Sequence, residues 1–108
     1  MAMNARHSGR RARPSRFGRL LSAYRQRRGY RLIEFSRALG NRWSPETIGK
    51  YELQRRDPSL EFIAAAVDVL RLSREQQAAL LRAHLADWNT RFLQEYLAAA
   101  RARDLYDR

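Results

Sequence analysis

Residues 44–52 read SPETIGKYE, and how this stretch is read decides the fold. Ser44 is a strong helix N-cap, because its hydroxyl can accept from a free backbone N–H of the first turn. Pro45 suits the first helical position, where no N–H is needed. Glu46 in the first turn complements the positive end of the helix dipole. Ile48 and Tyr51, three apart, then face inward, and Trp43 before the cap can pack as an apolar anchor. That leaves Pro45, Glu46, Thr47, Gly49 and Lys50 outward, Lys50 being the only lysine of the chain. Gly49 lowers helix stability by roughly 1 kcal/mol relative to alanine. Two explanations stand side by side: a phosphate backbone or groove wall approaches closely there, or another helix packs closely.

Working outward, "RRDPS" at 55–59 is a basic loop in which Pro58 cannot extend the previous helix and Ser59 can cap the next. A helix over 60–70 follows, with Leu60, Ile63, Ala64, Val67 and Leu70 on one face. On the other side, Asn41 and Arg42 form a turn after Gly40, which ends a helix over 32–39 with Leu32, Phe35, Ser36 and Leu39 inward. Before it, Ser15 caps a helix over 16–28 whose stripe is Phe17, Leu20, Leu21 and Tyr24, closed by Gly29. "SREQ", Ser73 to Gln76, is a capping-box pattern. It opens a helical region from Arg74 toward Leu105, with Leu81, Leu85, Trp88, Phe92 and Tyr96 stepping along one face. Residues 87–90 are weaker helix and allow a break, with Asp87 or Asn89 capping a last helix. No strand pattern and no internal repeat interrupts this all-α reading.

The charge is unevenly spread. The net charge is +11 over 108 residues, and the whole excess lies in the first 59; residues 60–108 carry seven basic and seven acidic side chains. A basic half joined to a neutral half fits a polyanion-binding region with a separate helical region. The bias toward arginine is also what a high-GC or thermophilic source produces. Residues 1–15 have no apolar periodicity and read as a disordered basic arm. Its Arg10, Arg11 and Arg13 either reach nucleic acid or form a plain flexible terminus. With no cysteine, disulfides, zinc–thiolate sites and cysteine nucleophiles are excluded. His7 and His84 are too far apart in sequence to suggest a metal site. No apolar run is long enough to cross a bilayer and no signal peptide is visible, so the expectation is a soluble cytoplasmic, nucleoid-associated protein.

The order helix, Gly, helix, turn, capped helix, basic loop, Pro-Ser, helix resembles the Cro and lambda-repressor type (XRE family) of helix-turn-helix DNA-binding proteins. The resemblance rests on "RLLSAYRQRRGYRLIEFSRALG" at 19–40, "SPETIGKYE" at 44–52 and "RRDPSLEFIAAAVDVLRLS" at 55–73. It includes Arg25 four before Gly29, Ile48 four before Glu52, and Pro58-Ser59-Leu60. This chain departs from the family in a turn about two residues longer, at Asn41-Arg42. Leu32 stands where a phosphate-binding glutamine is common, Arg31 where a serine or threonine cap is usual, and Gln54 where a glycine often follows.

The resemblance implies a lambda-repressor-like bundle of four to five helices over 16–73, with residues 74–108 as a C-terminal helical extension. The helix 44–53 would lie in the major groove. Ser44, Thr47 and the first-turn amides would anchor a phosphate. Lys50 would donate to guanine O6 or N7, and Glu46 would accept from cytosine N4 or simply complement the helix dipole. Pro45 can only make apolar contact, such as with a thymine methyl. Arg42, Arg55 and Arg56 would clamp phosphates, and Arg31 and Gly49 complete the DNA-facing set. Arg25 and Glu52 would form a structural pair bridging the first and third helices. Leu85, Trp88, Phe92 and Tyr96 either pack back as core or form a two-fold dimer interface, the latter being the expectation.

The function expected is that of a sequence-specific transcriptional regulator binding double-stranded DNA as a homodimer, most simply a bacterial or phage repressor. An antitoxin-like or bridging protein, whose C-terminal helices hold another protein, is the alternative; a charge-driven nonspecific binder is a third. An RNA role fits poorly, since the outward face of helix 44–53 has no aromatics for stacking. Nothing suggests an enzyme or a cofactor: there is no nucleophile–base constellation and no Gly-rich phosphate loop.

Overall fold

The computed structural model describes residues 15–53 and 55–107, with side chains to residue 103. The arm residues Arg10, Arg11 and Arg13 lie outside the described residues, as does Gln54. The described chain is helical throughout: α1 (Arg16–Arg27), α2 (Leu32–Ala38), α3 (Pro45–Glu52), α4 (Leu60–Leu70) and α5 (Arg74–Asp107). The all-α bundle with a C-terminal helix is the observed fold.

Each start is fixed by its cap. Ser15 accepts from Gly18 N, Ser44 from Thr47 N and Ser59 from Phe62 N. Ser73 and Gln76 complete the capping box at α5, at 2.9 and 3.1 Å. The turn between α2 and α3 takes two left-handed residues in succession, Gly40 (φ 76°) and Asn41 (φ 60°), residue types that tolerate that region. Ser36 Oγ donates to Trp43 O at 2.6 Å and ties the longer turn down.

The core gathers Phe17, Leu21 and Tyr24 from α1, Phe35 and Leu39 at α2, Ile48 and Tyr51 from α3, and Leu80 and Ala83 from α5. α4 supplies Phe62, Ile63, Ala66 and Leu70. Phe62 is the hub, its ring centroid 4.6 Å from that of Tyr51 and 5.2 Å from that of Trp43. The expected inward face of α4 therefore needs correcting. Leu60 is 73% exposed and Ala64 is exposed, while Phe62 and Ala66 are fully buried. Leu32 is half-buried rather than fully inward.

α1 crosses α3 at Gly18. A Cβ placed there would collide with the Glu52 backbone carbonyl, so only glycine permits this approach. Beside the crossing, Arg25 meets Glu52 side-on, through Nε at 2.8 Å and Nη2 at 3.1 Å, and Arg25 Nη1 donates to Tyr30 O. Both ionised side chains are about 10% exposed. Their shared hydrogen bonds offset the desolvation that burial imposes.

α5 runs unbroken for 34 residues, about 51 Å at the helical rise, so the break expected near 87–90 does not occur. Asp87 is a cap, but for another helix: its carboxylate accepts from Arg16 N at 3.1 Å and Phe17 N at 3.0 Å at the start of α1. One turn on, Arg91 holds Asp57 of the α3–α4 loop by two hydrogen bonds, 2.6 and 2.8 Å. Leu80, Ala83, His84, Asp87 and Arg91 thus form the bundle-facing side of α5. The expected apolar stripe is turned toward solvent at Leu85 (58% exposed), Phe92 (51%) and Tyr96 (57%), with Trp88 (47%) at its edge, bordering the bundle beside Asp57 and Pro58. Trp88 and Phe92 stack on each other at 5.2 Å. Leu85, Phe92 and Tyr96 therefore do not pack back as core within one chain, and Trp88 does so only along one edge.

Candidate nucleic-acid interface

α3 is held from within and bare without. Ile48 is fully buried and Tyr51 nearly so, while Glu46 and Lys50 are exposed and Pro45, Thr47 and Gly49 half-exposed. The expected outward set is thus the outward set of the structure. The residues divide between two neighbouring depressions on either side of the helix. Arg42, Ser44, Thr47 and Arg56 border one, of about 410 Å³, with Trp43 and Asp57 in its wall. Pro45, Glu46, Gly49, Lys50 and Arg55 border the other, of about 380 Å³, together with Leu32 and Leu53. Arg31 borders neither.

In the first depression the hydroxyls are partly committed. Ser44 Oγ accepts from Thr47 N at 3.1 Å and donates to Thr47 Oγ1 at 3.0 Å. The Thr47 hydroxyl proton therefore remains free to point outward. Pro45 has no N–H, and Ile48 N donates to Ser44 O. Glu46 N–H is the uncommitted amide of that turn among the described residues. Arg42 stacks over the Trp43 ring at 4.5 Å and reaches Glu61 at 3.1 Å. That pair is more than half exposed, so it restrains Arg42 only weakly. Asp57 would place a negative charge here, and Arg91 neutralises it. Sequence reasoning missed Arg91, because the contact joins residues 34 apart.

At the start of α2 the Glu34 carboxylate is the capping group: it accepts from Arg31 N at 2.8 Å and from the Arg31 guanidinium at 3.2 Å. The hydrogen bond from the Arg31 side chain, with that from its backbone, holds the Glu34 carboxyl below its ordinary range. The pairing raises the Arg31 guanidinium. Leu85, Trp88, Phe92 and Tyr96 follow one another along α5 with Leu81, while Leu93 and Leu97 are exposed on a different face of the same helix.

Gly49 can now be separated from the packing explanation. A Cβ there would meet only Leu32 Cδ1, at an ordinary 3.8 Å. No described helix requires glycine at that position.

No group of His, Asp or Glu suited to hold a metal ion occurs among the described residues. No described helix is long and apolar enough to cross a membrane. No curated protein and no solved structure matches the chain at the significance required. A family model described as a helix-turn-helix domain matches residues 16–80, which run from the start of α1 into α5 and include both depressions and the whole of α3. The chain belongs to the helix-turn-helix domain family.

Proposed function

We propose that the protein is a sequence-specific DNA-binding transcriptional regulator of the Cro and lambda-repressor type, acting as a repressor by occluding a promoter. The observation that carries this reading is the face of α3. Glu46 and Lys50 stand exposed on one short capped helix, with Arg42, Arg55 and Arg56 exposed around them. A charged, uncovered helix flanked by arginines is suited to enter the major groove while the flanks grip phosphates. Lys50 donates to guanine O6 or N7 and Glu46 accepts from cytosine N4. Thr47, Arg42 and Arg56 hold one phosphate, Arg55 and Arg31 contact others, and the arm before the Ser15 cap adds charge.

The unit 16–73 reads DNA and the extension 74–108 dimerises through the outer side of α5. Support for the second part is the row of exposed large apolar side chains, including the Trp88–Phe92 stack. Such a row on a free helix favours a partner surface. The same row serves the alternative, in which these residues hold a different protein.

A selection from random duplex DNA at physiological salt, read by sequencing, tests the reading. An inverted repeat with half-sites about one helical turn apart is the expected result. Enrichment of no sequence, with binding that fades steeply as salt rises, would replace the reader by a charge-driven binder. Phe92→Asp is expected to halve the mass in solution; an unchanged mass removes the dimer.

A further inference from the structure

The depression over Gly49 differs in chemistry from its surroundings. Its floor is apolar: Leu32, Pro45 and Leu53 border it, and Gly49 contributes no side chain. Its rim is charged, with Glu46 and Lys50 exposed. Leu53 is 40% exposed although it closes a helix on a strongly basic face. Glycine weakens α3 and is not demanded by any described neighbour, since alanine would fit at 3.8 Å from Leu32. An apolar notch kept open at a cost in helix stability, in the middle of the DNA-facing surface, needs an apolar visitor. On the base edges of unmodified DNA the major groove offers one such group, the C5-methyl of thymine.

We infer that the notch bordered by Leu32, Pro45, Gly49 and Leu53 receives the C5-methyl group of a thymine, making it a specificity pocket beside the two charged readers. This rests on the proposed DNA-reading role of α3. Gly49 lets the base edge come within contact of the helix backbone, and Leu32 supplies the wall. Glu46 and Lys50 on the rim then read neighbouring base pairs. The recognised step is a thymine adjacent to a G·C pair.

The test begins with the duplex recovered by the selection. Each thymine is replaced in turn by deoxyuridine, which deletes the methyl and nothing else, and affinity is measured for the wild-type chain and for Gly49→Ala. One thymine per half-site should lose about four-fold in affinity on replacement, the value of one buried methyl group. Gly49→Ala places a methyl on the floor of the notch, 3.8 Å from Leu32 Cδ1, where it holds the base edge off the helix backbone. It should bind the thymine duplex several-fold more weakly and be nearly indifferent to deoxyuridine at that position. Leu32→Ala, which removes the wall but keeps the glycine, should also shrink the deoxyuridine penalty. A sequence-specific duplex that tolerates deoxyuridine everywhere overturns the thymine pocket and leaves the DNA reader standing. So does a penalty of equal size in wild type and Gly49→Ala. If the selection enriches no sequence, the reader itself fails, and the pocket with it. A parallel pool made with 5-methylcytosine separates the two methylated pyrimidines: a consensus that appears only there overturns thymine as the occupant.

Discussion

The inner and outer sides of α3 obey opposite rules, and two glycines mark the contrast. At Gly18 the α1 backbone lies so close to the Glu52 carbonyl that even one methyl group collides. At Gly49, on the outer side, the same methyl would meet an ordinary contact and otherwise open space. One glycine is required by the fold; the other is a concession that the fold does not need. A residue that costs stability without serving packing points to a surface kept for something outside the chain.

The largest effect should come from the inner side. Glu52→Ala leaves the Arg25 guanidinium buried without its carboxylate, and a loss of about 3–5 kcal/mol is expected. Urea unfolding would show it as a lower midpoint at unchanged slope; a loss below ~1 kcal/mol would mean the pair is not the clasp described here. Gly18→Ala should follow, at about 1–3 kcal/mol, because α1 and α3 must separate to admit the methyl. Thermal unfolding would read it, and an unchanged midpoint would contradict the close crossing. Asp87→Ala removes the carboxylate that accepts from Arg16 N and Phe17 N, for about 1–2 kcal/mol. Amide exchange should then quicken at the first turn of α1; exchange confined to α5 would show that Asp87 does not cap α1.

On the outer side the sign reverses. Gly49→Ala should stabilise the free protein by up to about 1 kcal/mol, the helix-propensity gain, since nothing opposes the new methyl. A destabilised variant would blur the contrast between the two glycines. The smallest effect belongs to the exposed Arg31–Glu34 pair. Glu34 has a lowered pKa in the folded chain, so its contribution is full above the unfolded value of about 4.3. It is lost as pH falls through the lower folded value. The difference in melting temperature between wild type and Glu34→Gln should therefore be present near pH 6 and vanish in acid. A difference that survives in acid would belong to packing rather than charge.

Most of the fold was legible because its punctuation is local. Ser15, Ser44, Ser59 and Ser73 announce four helix starts, and Gly29 and Gly40 two ends, each through contacts a few residues long. The long turn at Asn41 was visible for the same reason. What failed was the phase of α4. "LEFIAAAVDVL" is apolar almost all round, so the period fits 60, 63, 64, 67 and 70 as well as 62, 63, 66 and 70. Only the aromatic neighbours of Phe62 decide between them. Asp87 was recognised as a cap but assigned to its own helix, because its true partners lie 70 and 71 residues away. Gly49 drew attention as the glycine of close approach; Gly18 carried no signal inside its apolar stripe. The outward set on α3 was readable because it is the complement of Ile48 and Tyr51. Its division into two depressions depends on Leu32, Trp43 and Leu53, which no local pattern joins.

The two clasps on α5 have a geometric corollary. Asp87 and Arg91 are one turn apart on a single side, and they grip two different segments, the start of α1 and the loop that follows α3. A rod held at two such points cannot spin about its own axis. Its outer stripe therefore points in a fixed compass direction relative to α3, with the angle carried rigidly along the helix. In any two-fold assembly built on that stripe, this angle sets how two copies of α3 are aimed. One residue inserted after Arg91 would turn the far part of the stripe by about 100°, leaving the bundle intact and its pairing direction wrong.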